Sequence, residues 1–362
     1  MISIAKPLLG EEEKKAVSDV IDSGALAMGQ VVTEFEQRFS QYIGCKYGIA
    51  SSNGTTALEV AVRSLGLKEG DKILTTPFSF IASTNSIIYA GMIPVFADID
   101  EETFNISPEA IEKALQKTPG IKALLIVHLF GQSCDMDAIM SIVKKHGLLL
   151  IEDCAQSHGA KWRGKSAGSF GDVSCFSFYP TKNMTTSEGG MILTNSDALS
   201  KKCRLLINHG MDVRYYHDII GYNYRMTNIS AAIGLCQLEK LPSFNAKRKT
   251  NAMYYDKNIT NPMIIAPVNR EKSDHVYHQY TIKVPGGYRD AFIKHLEANG
   301  IGHGIFYPLS IPEQKCYSEM AFGKEYQITD KVKHQVVSLP VHPGLSDEDV
   351  ACVAEAVNKF SV

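Results

Sequence analysis

Between residues 47 and 195 the chain alternates short apolar runs with amphipathic stretches, and few architectures accommodate that rhythm. The runs are "YGIAS", "DKILTT", "IPVFADI", "KALLIVHLF", "GLLLIED", "DVSCFSF" and "GMILTN". Even the longest, "KALLIVHLF" and "GLLLIED", are too short to cross a bilayer and suit buried strands. Helical patterns lie between them, such as "GTTALEVAVRSLGL" (54–67), "SPEAIEKALQK" (107–117) and "MDAIMSIVKKHG" (136–147), with Ser107 and Asp135 as N-caps. Strands alternating with helices predict βαβ units, hence an α/β fold with a mainly parallel seven-stranded sheet covered on both faces.

After about residue 242 the texture changes to "YHQYTIKVP", "YRDAFIKHLEANG", "VVSLP" and "SDEDVACVAEAVNKF", the pattern of a smaller α+β unit. The expected division is a large domain over 1–241 and a small C-terminal domain over 242–362. With 362 residues, 44% of them hydrophobic, the chain can bury both cores. A net charge of −2 with dispersed basic residues provides no stripe for nucleic acid, so small metabolites are the expected partners. "MISIAKPLLGEEEKK" lacks the apolar core of a signal peptide, and eight scattered cysteines without a C-x-x-C pair suit a reduced, cytoplasmic protein. His275-Val-Tyr-His278 is a loose H-x-x-H without Cys or acidic partners at ligand spacing, and no metal is expected.

One stretch offers a false lead. "GAKWRGKSAGSFG" (159–171) satisfies the phosphate-loop pattern G-x-x-x-x-G-K-[ST], and Gly164 to Gly168 satisfies the hydrolase elbow G-x-S-x-G. Both motifs need a strand that runs directly into the loop and a helix that leaves it. Here the preceding strand ends six residues before Gly159, and a strand, "DVSCFSF", follows. A hairpin turning at Arg163-Gly164 fits the alternation of Ala160, Trp162 and Ala167.

Chemistry is expected at three strand ends, because open α/β sheets bind ligands outside the carboxyl ends of their strands. In "YGIASSNGTTALEVA" a helix starts at Gly54-Thr55, whose free N–H groups and hydroxyl suit a phosphate, although Asn-Gly-Thr is equally an ordinary cap. In "LLLIEDCAQSHGA" Asp153 follows an apolar strand, where it either caps the next turn or faces a cation such as a protonated cofactor ring. In "DVSCFSFYPTKNMTTSEGG" the strand leads through Ser177 to Lys182, a lysine placed to become a nucleophile if its loop is closed. Phosphate hooks, a carboxylate and such a lysine together suit pyridoxal 5'-phosphate (PLP).

Over residues 5 to the C-terminus the chain resembles the DegT/DnrJ/EryC1/StrS sugar aminotransferases, PLP enzymes of fold type I. The resemblance lies in "GQVVTEFEQRFSQYIG", "SSNGTTAL", "PFSFIASTN", "PVFADID", "HLFGQSCDMD", "IEDCAQSHGA", "GSFGDVSCFSFYPTKNMTTSEGGMI", "GYNYRMTNISAAIGLCQL" and "VVSLPVHP", in order and at similar spacing. It implies that Lys182 holds the cofactor covalently and shuttles protons, and that Asp153 pairs with the ring nitrogen. Gln156 would contact the phenolic side of the ring and Phe80 stack on its face. Gly54, Thr55 and Ser177 would bind the phosphate together with Asn223 from a neighbouring subunit, and Arg225 would reach the amino donor's carboxylate across the same interface.

A homodimer with shared sites is thereby implied. So is transfer of an amino group from L-glutamate to a C3 or C4 keto group of a nucleotide-linked sugar. Family members that act as sugar dehydratases have His at the lysine position, and this chain keeps Lys182. Phe306 stands where relatives often carry His beside a Tyr, which leaves the sugar contacts around Phe306 and Tyr307 open, with Tyr307 as the candidate substrate residue. The alternatives are an aminotransferase acting on an aminocyclitol or other non-nucleotide keto compound, and a non-catalytic PLP-binding regulator.

Overall fold

The computed structural model describes residues 1–362 apart from Ala321, Lys324 and Glu325. Two helices, α1 (Glu11–Ser23) and α2 (Gln30–Ile43), precede strand β1 (Tyr47–Ser51). There follow α3 (Gly54–Ser64), β2 (Lys72–Thr75), α4 (Ala82–Tyr89), β3 (Ile93–Phe96), α5 (Pro108–Lys117), β4 (Ile121–Val127), α6 (Met136–His146) and β5 (Leu149–Asp153). The hairpin β6 (Lys161–Trp162) and β7 (Lys165–Ser166) leads into β8 (Val173–Ser177), β9 (Gly190–Thr194), α7 (Asp197–Ile207) and α8 (Asn228–Asn258). The remainder is β10 (Ser273–Asp274), β11 (Tyr280–Lys283), α9 (Arg289–Ala298), α10 (Gln327–Val332), β12 (Val336–Leu339) and α11 (Asp347–Lys359).

All seven expected strands join one sheet in the order β1-β9-β8-β5-β4-β2-β3. From β3 across to β8 the neighbours run parallel, whereas β9 lies antiparallel between β8 and β1. Two antiparallel steps restore direction, so β1 points the same way as β8 and β5, and their carboxyl ends share one edge. Ser51 and Ser177 both pair with Gly190, which sets those ends level. Ser107 and Asp135 cap α5 and α6 through their side-chain oxygens, as expected from sequence. Apolar clusters lie on both faces, one around Ile49, Val60, Ile73 and Leu125, the other around Phe35, Phe39, Phe176 and Met191.

The phosphate-loop lookalike is a hairpin: Lys161 pairs with Ser166 and Trp162 with Lys165. Arg163 and Gly164 take φ of 48° and 80°, the left-handed pair that a two-residue turn requires. Its outer edge pairs with β10, which ties it to the C-terminal part.

That part has its own core, with Tyr255, Tyr280, Phe292, Leu339 and Val353 fully buried between the β11–β12 pair and its helices. Leu241, the expected boundary, lies within α8, which runs unbroken for 31 residues and even accommodates Pro242. The N-terminus also reaches this part, since Ile2 bridges in parallel to Ile301. Among the described residues no helix is long and apolar enough to cross a membrane.

Candidate active site

Asn53 caps α3 by accepting from Thr56 N (2.9 Å), and Thr56 Oγ1 accepts from Asn53 N (3.2 Å). The N–H groups of Gly54 and Thr55 have no acceptor among the described residues and lie at the positive end of the helix dipole. A helix cap and two unengaged amides therefore coexist in "SSNGTT". Ser177 lies hard against this turn: a Cβ on Gly54 would fall 2.6 Å from Ser177 Cβ, so residue 54 must be glycine. Gly190 is equally constrained, since a Cβ there would sit 2.3 Å from the Asn53 carbonyl oxygen.

Asp153 ends β5 and is 4% exposed. Ser83 Oγ donates to its Oδ2 (2.7 Å) and Ala155 N to its Oδ1 (3.0 Å). The Ala155 bond is the local turn expected as the bland role, and it leaves the charge uncompensated. No Lys or Arg among the described residues forms an ion pair with this carboxylate. Burial pushes its pKa up, against the Ser83 and Ala155 hydrogen bonds and the more distant charge of Lys182. A cation delivered to Asp153 would recover that cost.

Lys182 sits in the loop after β8, where its N–H bonds Tyr179 O (2.9 Å), while Thr186 N (3.0 Å) and Thr185 Oγ1 (2.8 Å) both bond Phe178 O. Burial lowers its pKa to about 8, with Asp153 opposing. A substantial fraction of the amine is thus neutral, and nucleophilic, near pH 7.5. The neighbouring Asn183 is clamped by Asn245 Oδ1 (2.8 Å), Val276 O (3.2 Å) and His278 Nδ1 (3.1 Å). His278 of the H-x-x-H is thereby engaged, and His275 accepts from Tyr277 N (2.9 Å).

Gln156 accepts from Phe130 N (2.8 Å) and donates to Tyr307 OH (3.1 Å), leaving one amide hydrogen free. Burial raises the Tyr307 pKa and keeps the phenol neutral. The Phe80 ring, 57% exposed, lies 6.4 Å from that of Tyr307, an uncovered aromatic face beside the site. Asn223 and Arg225 lie beside the end of β1 but are not hydrogen-bonded to these side chains. Arg225 bridges to Ser51 and bonds Asn208 Oδ1 (2.7 Å), Asn223 bridges to Asn208, and no hydrogen bond joins either to Lys182, Asp153 or Gln156.

Sequence reasoning missed Ser83, which holds Asp153. The signal was the pair Ser79 and Ser83 in "PFSFIASTN", one helical turn apart and joined Oγ to Oγ at 3.1 Å. It also missed Glu152, whose Oε2 receives His128 Nε2 (2.9 Å) and Gly168 N (2.8 Å) and whose Oε1 receives Phe170 N and Gly171 N (both 2.7 Å). Potential ligand atoms of His128, Glu152 and Cys154 lie within 4.8 Å of one another, but these four donors already occupy the carboxylate. His128 Nδ1 accepts from Cys134 N (3.1 Å), so its proton is on Nε2 and it donates to Glu152.

A helix end with two unengaged amides that excludes a Cβ, an unpaired buried carboxylate and a lysine of lowered pKa fit PLP. Fold and site define a PLP-dependent aminotransferase of fold type I. The chain belongs to the DegT/DnrJ/EryC1/StrS aminotransferase family, which it matches over residues 7–358. It is 40% identical over 370 residues to the GDP-perosamine synthase of Caulobacter vibrioides, covering 100% of this chain and 98% of the relative. DesV of S. venezuelae, solved with a ketimine intermediate, superposes with a TM-score of 0.93 at 32% identity, over 99% of this chain and 98% of the other. The PLP form of a putative sugar aminotransferase from Streptococcus pneumoniae does so with a TM-score of 0.93 at 28% identity, over 99% and 97%.

Proposed function

We propose that this aminotransferase moves the amino group of L-glutamate to a C3 or C4 keto group of a nucleotide-linked sugar, releasing 2-oxoglutarate and an amino sugar. The observation that carries the chemistry is the pairing of an unneutralised Asp153 with Lys182 of lowered pKa at one sheet edge. The name of the Caulobacter relative, a GDP-sugar enzyme, supports the substrate class.

PLP, when bound, supplies the aldehyde that carries the amino group and a protonated ring that accepts electrons. Asp153 would hold the proton on the ring nitrogen, helped by Ser83. Gly54, Thr55 and Ser177 would take the phosphate, Phe80 would cover one ring face, and Gln156, braced by Tyr307, would meet the phenolic side. Lys182 would take the α-proton from the donor with its neutral Nζ and return it at the sugar carbon. A homodimer in which Asn223 and Arg225 reach the neighbouring copy's site completes the reading, and Tyr307 would line the sugar side.

The test is to titrate L-glutamate into the PLP-loaded protein and follow the cofactor's visible absorption. Bleaching with release of 2-oxoglutarate, reversed by a keto sugar nucleotide, is the expected result. Reversal only by keto compounds without a nucleotide would move the assignment to an aminocyclitol-type substrate, and an unresponsive band would remove glutamate as donor.

A further inference from the structure

Residues Tyr222 to Arg225 form an extended segment laid against the sheet edge. Tyr224 O accepts from Ser52 N (2.7 Å), Tyr224 N donates to Ile207 O (3.0 Å), and Arg225 bridges antiparallel to Ser51. Extended backbone sends alternate side chains to opposite sides. Tyr222 and Tyr224 go inward, their rings stacked 4.8 Å apart and 4° from parallel, and pack on the core. Asn223, between them, is exposed.

What fixes the inward pair is a buried carboxylate on α3. Glu59 is 6% exposed; its Oε2 accepts from Tyr224 OH (3.2 Å) and its Oε1 from Arg63 Nε (2.9 Å). The Arg63 guanidinium lies 5.4 Å from the centre of the Tyr222 ring and also bonds the Tyr89 carbonyl. Both tyrosines are thus referenced to the helix whose first amides are those of Gly54 and Thr55.

We propose that Glu59 is a positioning residue for the cofactor phosphate of the neighbouring copy, setting through Tyr224 the direction in which Asn223 leaves this chain. The inference rests on the reading that Asn223 completes the partner's site. Helix α3 then serves two phosphates, its own through its N-terminal amides and the partner's through Glu59 and Tyr224.

A merely structural role for Glu59 would damage the chain that carries it, and mixed dimers separate the two cases. The Glu59→Gln homodimer should bind PLP about tenfold more weakly, read by titrating the absorbance of lysine-bound cofactor. Unchanged affinity overturns the proposal. In a mixed dimer of a Glu59→Gln chain with a Lys182→Ala chain, the one live site has Lys182 of the first and Asn223 of the second. Wild-type PLP affinity at that site is expected, and affinity as weak as in the Glu59→Gln homodimer overturns the proposal. An Asn223→Ala chain mixed with Lys182→Ala tests the shared site itself. Restoration there without restoration for Glu59→Gln sinks the proposal alone, whereas no restoration sinks the shared site and the proposal with it. Should Glu59→Gln fail to fold, Tyr224→Phe, which removes only the hydroxyl, replaces it in the same mixture.

Discussion

Glu152 and Asp153 are consecutive on β5, point to opposite faces of the sheet and are both hidden from water, yet their carboxylates meet different surroundings. Glu152 receives four donors, three of them from the Gly168–Gly171 turn before β8. Although burial pushes its pKa up, the His128 hydrogen bond and the N–H groups of Gly171 and Gly168 prevail and hold it below its ordinary value. Asp153 receives two donors, keeps a raised pKa and, among the described residues, forms no ion pair. Burial alone therefore does not mark a reactive carboxylate. The mark is an unfilled requirement, which on this strand belongs to Asp153 alone.

The unfilled requirement of Asp153 matters only through the lysine at the same sheet edge, so the largest effect is expected from Lys182→Ala. Turnover should fall by about 10⁴-fold or more while the thermal midpoint is kept, checked by steady-state transamination and calorimetry. A variant that still transaminates at a tenth of the normal rate would remove Lys182 from the chemistry.

Asp153→Asn should lower kcat by about 10²- to 10³-fold. Its apoprotein should be at least as stable as the wild type at pH 7, because a carboxyl with a raised folded pKa destabilises the fold once ionised. Glu152→Gln should do the reverse, costing about 3 kcal/mol of stability with kcat per folded molecule within about threefold. Its group is held below 4.5, so the stability it contributes is full above that pH and is lost as pH falls through the folded value. The gap in thermal midpoint between wild type and Glu152→Gln should therefore close in acid. Equal losses of activity in the two variants, with unchanged midpoints, would abolish the distinction.

The smallest effect concerns Lys182 in the apoprotein. Acylation of its amine, followed by mass spectrometry, should rise with a midpoint near pH 8 rather than 10.5. Asp153→Asn should move the midpoint lower, since that carboxylate's charge raises it. A midpoint unaltered by the substitution would mean that the two groups do not sense each other.

Much of this was legible in the sequence because it was local. Seven apolar runs of strand length, caps at Ser107 and Asp135, and the Arg163-Gly164 turn are each written in adjacent residues. The placement of Asp153 at the end of β5 and of Lys182 in the loop after β8 was legible for the same reason. What stayed hidden depends on distant pairing. The reversed direction of β9 is set by hydrogen bonds to β8 and β1, and an apolar run carries no direction. Ser83 meets Asp153 across 70 positions of sequence, and Tyr307 meets Gln156 across 151. Glu152 reads as one more acidic residue after "LLLI" until the turn at Gly168 folds back on it. That turn approaches closely enough that a Cβ on Gly171 would meet the Leu150 carbonyl oxygen at 2.6 Å.

Helix α8 has a practical consequence for anyone recombining this chain with its relatives. Gln237 bonds Leu8 O and Glu13 near the N-terminus, Asn245 bonds Asn183 and the His158 carbonyl beside the lysine loop, and Arg248 bonds the Tyr277 and His278 carbonyls. A crossover at Leu241, where composition changes, would take Gln237 from one parent and Asn245 and Arg248 from the other. The seam between two lineages would then run through a single rod that both halves use as their ruler. Placing the crossover after Asn258 keeps that rod in one parent, with the Lys182 loop it braces.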